Sequence, residues 1–145
     1  AVENANKRRE HYAAALPQVV FGTFQQLDLT LPHSIVQRYG KHFDIILSND
    51  ALMHISDRYV KAILRNFNSA GTNYLVVNSY CKKPRNHDIS MDMKPFPFRR
   101  LDLTTKPYDF EPVCGDEEDH RSHDRPDQGE FMVAFRLPLS ESPLK

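Results

Sequence analysis

Two short apolar runs, Ile45-Ile46-Leu47 and Leu75-Val76-Val77, constrain this chain more than any other feature. Neither alternates with polar residues. Uninterrupted runs of this kind suit strands whose sheet is covered on both faces, as in a parallel sheet. Between them the period changes: Val60, Ile63, Leu64 and Phe67 fall at i, i+3, i+4 and i+7, which makes one apolar helical stripe. A helix is expected from about Asp57 to Asn68. Ser56 or Asp57 would accept its first N–H groups, and Gly71 would take the left-handed turn at its end. A strand starting at Phe43, this helix and a strand over Tyr74–Ser79 form one βαβ unit with a right-handed crossover.

The first strand runs into a polar cluster, Ser48-Asn49-Asp50, and His54 follows four residues later on a tight turn or short helix. Open α/β sheets bind ligands outside the carboxyl ends of their strands, so this edge is where chemistry is expected. The plainer reading is that the same groups finish the strand and cap the next helix. The pattern alone does not separate the two.

Before this unit, Glu3–Leu16 reads as a helix stopped by Pro17, with Val2, Ala5, Tyr12 and Leu16 on a thin apolar side. Lys7, Arg8 and Arg9 read as a solvated face. A strand is expected near Thr23–Leu27, with Asp28 just past its end. A short helix over His33–Tyr39 opens after Pro32 and closes at Gly40. After the unit, Cys81–Pro97 reads as a long loop, Phe98–Leu103 as a short element and Thr104–Pro112 as an extended loop. Residues 114–129 form an acidic stretch expected to be mobile, and a last strand lies within Gly129–Leu137 before Pro138. Ser140–Lys145 reads as a tail.

The length of 145 residues fits one domain. Lys+Arg and Asp+Glu both count 19, so no net field draws nucleic acid, and no nucleic-acid partner is expected. No apolar run is long enough to span a membrane. Two cysteines, Cys81 and Cys114, make no disulfide framework, and no signal peptide is visible at the polar start, so the expected location is cytoplasmic.

Taken together, several stretches resemble class I S-adenosylmethionine-dependent methyltransferases, specifically small bacterial-type members. They are Val2–Arg9, Leu27–Thr30, Phe43–Ile55, Leu64–Phe67 with Ser69–Gly71 and Tyr74-Leu75, Asn86–Ile89, and Arg99–Leu103 before Pro107. The resemblance implies a Rossmann-like, mostly parallel α/β sheet with a late antiparallel edge strand. It covers the C-terminal two-thirds of the family fold as a single domain, incomplete at its N-terminus. The family's glycine-rich cofactor loop has no counterpart among the five glycines of this sequence.

The resemblance also implies roles by position. Asp28 matches the acceptor for the adenine amino group, and Ser48, Asn49 and Asp50 match the segment beside the methionine part of S-adenosyl-L-methionine. His54, with Asp50, faces the reacting groups and serves as a base or as an orienting partner. Asn86, Asp88, Arg99 and Arg100 match a substrate-side loop, whose arginines could clamp an anion or simply pair with Asp88 or Asp102. The implied partner is a small-molecule methyl acceptor, with no metal required.

Two other readings compete. Cys114, His120, His123 and Asp124 offer metal-ligand types, but without a paired C-x-x-C motif. The chain could also be an inactive methyltransferase-like module or fragment. Its strands would then keep exposed edges and apolar faces, and self-association through the sheet edge is expected.

Overall fold

The computed structural model describes residues 2–15, 25–40, 43–80, 84, 86–89, 98–114 and 130–144. In chain order the elements are α1 (Val2–Ala15), α2 (Ser34–Tyr39), β1 (Ile45–Ser48), a 3-10 turn at Leu52–His54, and α3 (Asp57–Ser69). They continue with β2 (Tyr74–Tyr80), β3 (Pro112–Cys114), β4 (Glu130–Arg136) and a second 3-10 turn at Ser142–Leu144. The fold is mixed α/β around one four-stranded sheet.

The βαβ unit forms as its periodicity requires. β1 and β2 pair in parallel, with Ile46 opposite Leu75 and Ser48 opposite Val77. The α3 stripe is wholly buried: Val60, Ile63, Leu64 and Phe67 enter one core with Leu75, Val77, Val133 and Phe135. Full burial of each such side chain contributes about 1.5–3 kcal/mol, which makes this stripe the main anchor of the helix. Gly71 follows the helix at φ 68°, a left-handed conformation that a Cβ would disfavour.

The start of α3 differs from expectation. Ser56 occupies the N-cap position but makes no side-chain capping bond. The cap comes instead from a distant residue: the Asp57 N–H donates to Asp88 Oδ1 at 2.7 Å. A carboxylate beside a helix N-terminus meets both an orphan donor and the positive end of the dipole.

The sheet order is β1-β2-β4-β3. β4 runs antiparallel to both of its neighbours, so the late antiparallel strand is internal and not at an edge. Its length explains this. Seven residues pair with the whole of β2, and Phe131, Val133 and Phe135 are all buried on one face. The three-residue β3, which sequence reading left in a loop, takes the edge. A short strand exposes few unpaired groups there.

The expected burial of both faces of β1 is also corrected. Ile45 is 57% exposed and Leu47 is 67% exposed. Among the described residues β1 has one strand neighbour, and these two side chains project from the face opposite Ile46 and the core.

Elsewhere, α1 spans nearly the expected residues but buries none of its side chains. α2 begins at Ser34, after His33 at φ 59°, and ends at Gly40. Gln25–Asp28 show no strand, while the rest of the expected Thr23–Leu27 strand, Leu16, most of Cys81–Pro97 and residues 115–129 lie outside the described residues. Phe98–Asp102 form neither strand nor helix. The expected C-terminal tail is partly ordered, with Leu144 buried against the core and its carbonyl held by the Arg65 guanidinium.

Candidate functional site

The carboxyl ends of β1 and β2 lie side by side, because Ser48 pairs with Val77 in a parallel register. Ser48 is buried, whereas Asn49 and Asp50 turn outward and are exposed. Asp50 adopts φ 51°, a left-handed conformation that costs a non-glycine residue free energy. Its backbone N–H donates to Asn78 Oδ1 at 2.6 Å. This bond ties the turn after β1 to the end of β2, and it leaves the Asp50 carboxylate facing solvent. Asn78, the partner that holds this geometry, was not singled out from sequence. A polar residue closing an apolar strand was the available signal.

His54 ends the following 3-10 turn and is half-buried. Its ring lies 5.6 Å from that of Phe98, which in turn lies 5.8 Å from Tyr80. The Tyr80 hydroxyl donates to Met53 Sδ at 3.9 Å. Asn78 and Tyr80 are two residues apart on β2 and therefore share one face. Asp50 is thus bonded to Asn78, and Tyr80 on the same face of β2 meets Phe98, which lies beside His54.

Asp28 is elsewhere. It is exposed, and its Oδ1 accepts from the Thr30 N–H at 2.9 Å and the Thr30 hydroxyl at 2.7 Å. The Thr30 side chain and backbone hold its carboxyl below the usual carboxylate range. The following segment is pinned by buried Asn66, whose Nδ2 donates to the carbonyls of Leu29 and Leu31. Asn66 lies roughly 14 Å along α3 from Asp57 at the helical rise per residue. Among the described residues the Asp28 carboxylate bonds to Thr30 and not to the Ser48–Asp50 edge.

Three of the substrate-side residues, Asn86, Asp88 and Arg99, are occupied by the protein itself. Asn86 Oδ1 accepts from the Asp102 N–H at 2.8 Å, while its Nδ2 donates to the Asp102 carbonyl at 2.6 Å and the Lys106 carbonyl at 2.9 Å. Asp88 caps α3. Arg99 is 1% exposed, and its guanidinium pairs with Asp57 while donating to the carbonyls of His87 and Ile55. Tyr108 adds a hydroxyl donated to the same Asp57 oxygen at 2.8 Å. Burial, and next the bond to Asp57, push the Tyr108 hydroxyl above its usual range. Arg99 therefore pairs with Asp57, and neither Asp88 nor Asp102 is its partner. Arg100 is half-buried. Asp102 is buried and accepts from the Ser79 hydroxyl at 2.7 Å and the Thr104 N–H at 2.9 Å. What looked like an anion clamp is a brace that fixes the loops over the first turn of α3.

A hollow of about 350 Å³ opens near the other end of α3, beside Arg65, Ser69, Glu141 and Leu144. It includes none of the candidate residues. Among the described residues no cluster of His, Cys, Asp and Glu could hold a metal, and the His120, His123 and Asp124 reading lies outside them. No helix among them is long and apolar enough to cross a membrane.

No protein-family model matches this chain, and neither does any curated protein or solved structure.

Proposed function

We propose that this chain carries the acceptor-side part of a domain that transfers a methyl group from S-adenosylmethionine to a small molecule. One observation supports this reading most: a polar edge at the carboxyl ends of the parallel pair β1 and β2, where Asp50 is held in a left-handed conformation by Asn78. Ligand sites of α/β sheets fall at such edges, and strained turns cluster at them. The sequence resemblance supplies the reaction class.

The residues at this edge, and Asp28 apart from it, fit the cofactor's chemistry. Asn49 and Asp50 present exposed acceptors suited to ammonium and hydroxyl donors. Asp28, kept ionised by Thr30, would accept from the adenine amino group as the resemblance implies. Bound there, S-adenosylmethionine would supply an electrophilic methyl group for transfer to the acceptor. His54 stands at the rim to orient the acceptor and to take its proton at a ring nitrogen. The protein's main contribution is to place the two reactants together.

A calorimetric titration with S-adenosylhomocysteine tests this reading. Micromolar binding, weakened by Asp28→Ala, supports it. A folded, monomeric sample that shows no binding overturns it, and unchanged affinity in Asp28→Ala removes Asp28 from the site.

A second reading is favoured by the exposure of Ile45 and Leu47 on edge strand β1. In it the chain is a partner-binding module whose open edge pairs with a second copy. Antiparallel self-pairing centred on Ile46 would set Ile45 beside Leu47 of the other copy on one face.

A further inference from the structure

The hollow near the C-terminal end of α3 lies between two walls that are bonded to each other. One wall is the end of the helix, with Arg65 and Ser69. The other is the chain after β4, with Pro138, Glu141 and Leu144. Asn68 Nδ2 donates to the Leu139 carbonyl at 3.0 Å, and Asn68 Oδ1 accepts from the Leu139 N–H at 2.7 Å. Arg65 donates to the Leu144 carbonyl, and the Leu144 N–H donates to the Glu141 carbonyl at 3.0 Å. Leu139 and Leu144 are buried and anchor this segment on the core. The volume of about 350 Å³ falls at the small end of the range of small-molecule sites.

Two opposite charges line this hollow without pairing. Among the described residues the Arg65 guanidinium bonds to the Leu144 carbonyl and to no carboxylate. A guanidinium carries five N–H donors, so most of its capacity stays open. Glu141 is exposed and pairs with no cation among the described residues. The last turn of α3 adds its negative dipole end near Ser69, which favours a positive group there. His33 also lines the hollow and offers ring nitrogens for hydrogen bonding. Pro138 and Leu144 contribute apolar surface. A simple anion would be drawn to Arg65 but repelled by Glu141, and a simple cation would meet the reverse. A zwitterion satisfies both.

We infer that this hollow binds a free α-amino acid with an apolar side chain. Arg65 accepts its carboxylate, Glu141 and the end of α3 hold its ammonium group, and Pro138 and Leu144 pack on its side chain. The site does not rest on the proposed function, since no residue assigned to methyl transfer lines it.

The test titrates L-leucine into the full chain and follows the backbone amides of Arg65, Ser69, Glu141 and Leu144 by NMR. Two probes each lack one charge: 4-methylpentanoate has no ammonium group, and 3-methylbutylamine has no carboxylate. Glycine lacks the apolar side chain. Saturable L-leucine shifts are expected at these amides, with each of the other three probes about tenfold weaker or more. Glu141→Gln changes an exposed side chain and should leave the melting temperature unchanged. It should weaken L-leucine by about tenfold but not weaken 4-methylpentanoate, which has no group for Glu141 to hold. Absent or non-saturable L-leucine shifts, equal affinity for any of the other probes, shifts confined to other residues, or undiminished L-leucine binding by a folded Glu141→Gln would overturn the inference.

Discussion

The backbone N–H of Asp50 donates to Asn78 Oδ1 at 2.6 Å across a parallel strand pair. That bond holds Asp50 at φ 51° and turns its carboxylate out of the sheet. Glycine adopts this conformation without a Cβ penalty, so Asp50→Gly should keep stability within about 1 kcal/mol of the parent. The same variant loses the carboxylate and should bind S-adenosylhomocysteine about tenfold more weakly. Thermal melts and calorimetry on the two proteins check both halves. An unchanged affinity would take Asp50 out of the binding edge.

Arg99 and Asp57 form a pair in which the arginine side chain is fully buried and the aspartate is 23% exposed. Removing one partner leaves the other uncompensated in a poorly solvated place. Asp57→Ala should therefore destabilise by about 3–5 kcal/mol, and Arg99→Met/Asp57→Ala by less than the two single changes combined. Urea unfolding of the four proteins gives the coupling. Strict additivity would show that the two side chains do not depend on each other.

Tyr108 supplies a pH signature. Its folded-state pKa is raised, by burial first and then by its bond to Asp57, above an unfolded value of about 10. The stabilisation is therefore complete below the unfolded pKa and is lost as pH rises from there toward the folded value. Tyr108→Phe should be less stable than the parent near neutral pH. Above about pH 10 the gap should narrow, since the variant lacks the group that must stay protonated. Denaturation at pH 7, 9 and 10.5 decides this, and a constant gap would contradict it.

Asp88 is the cap of α3 although it lies 31 residues from Asp57 in sequence. Asp88→Ala should cost about 0.5–2 kcal/mol, as loss of a helix N-cap does. Asp88→Asn retains a side-chain oxygen acceptor and should recover part of that loss. Ser56→Ala removes a hydroxyl that makes no capping bond and should not reproduce the effect. If Ser56→Ala were the more damaging change, the cap would be Ser56 after all.

The exposed pair Ile45 and Leu47 predicts concentration-dependent self-association through β1. Leu47→Lys places a charge on that edge strand and should shift the population toward monomer in sedimentation velocity. A parent protein that stays monomeric at high micromolar concentration would remove the edge-pairing reading.

Much of the βαβ unit was legible in the chain itself. The positions of Val60, Ile63, Leu64 and Phe67 define a helical face without reference to any other segment, and burial follows from it. Gly71 and Gly40 marked helix ends for the same local reason, since each sits at positive φ. The polar group Ser48-Asn49-Asp50 was visible as an interruption after an apolar run. What it could not reveal was the role of Asn78, whose bond to Asp50 spans 28 residues.

The substrate-side assignments show where local reading stops. Arg99 and Asp88 carry the residue types of a ligand clamp, and type alone cannot say which way a side chain faces. Their partners lie 42 and 31 residues away. The internal place of β4 and the exposure of Ile45 and Leu47 belong to the same class, because strand order follows from which long strand can pair on both sides. Periodicity and turn chemistry therefore determined the βαβ unit and its polar edge. Only the tertiary structure decided that Arg99 is buried against Asp57 and that Asp88 caps α3 while Phe98 faces out, because burial and pairing are set by segments that share no sequence neighbourhood.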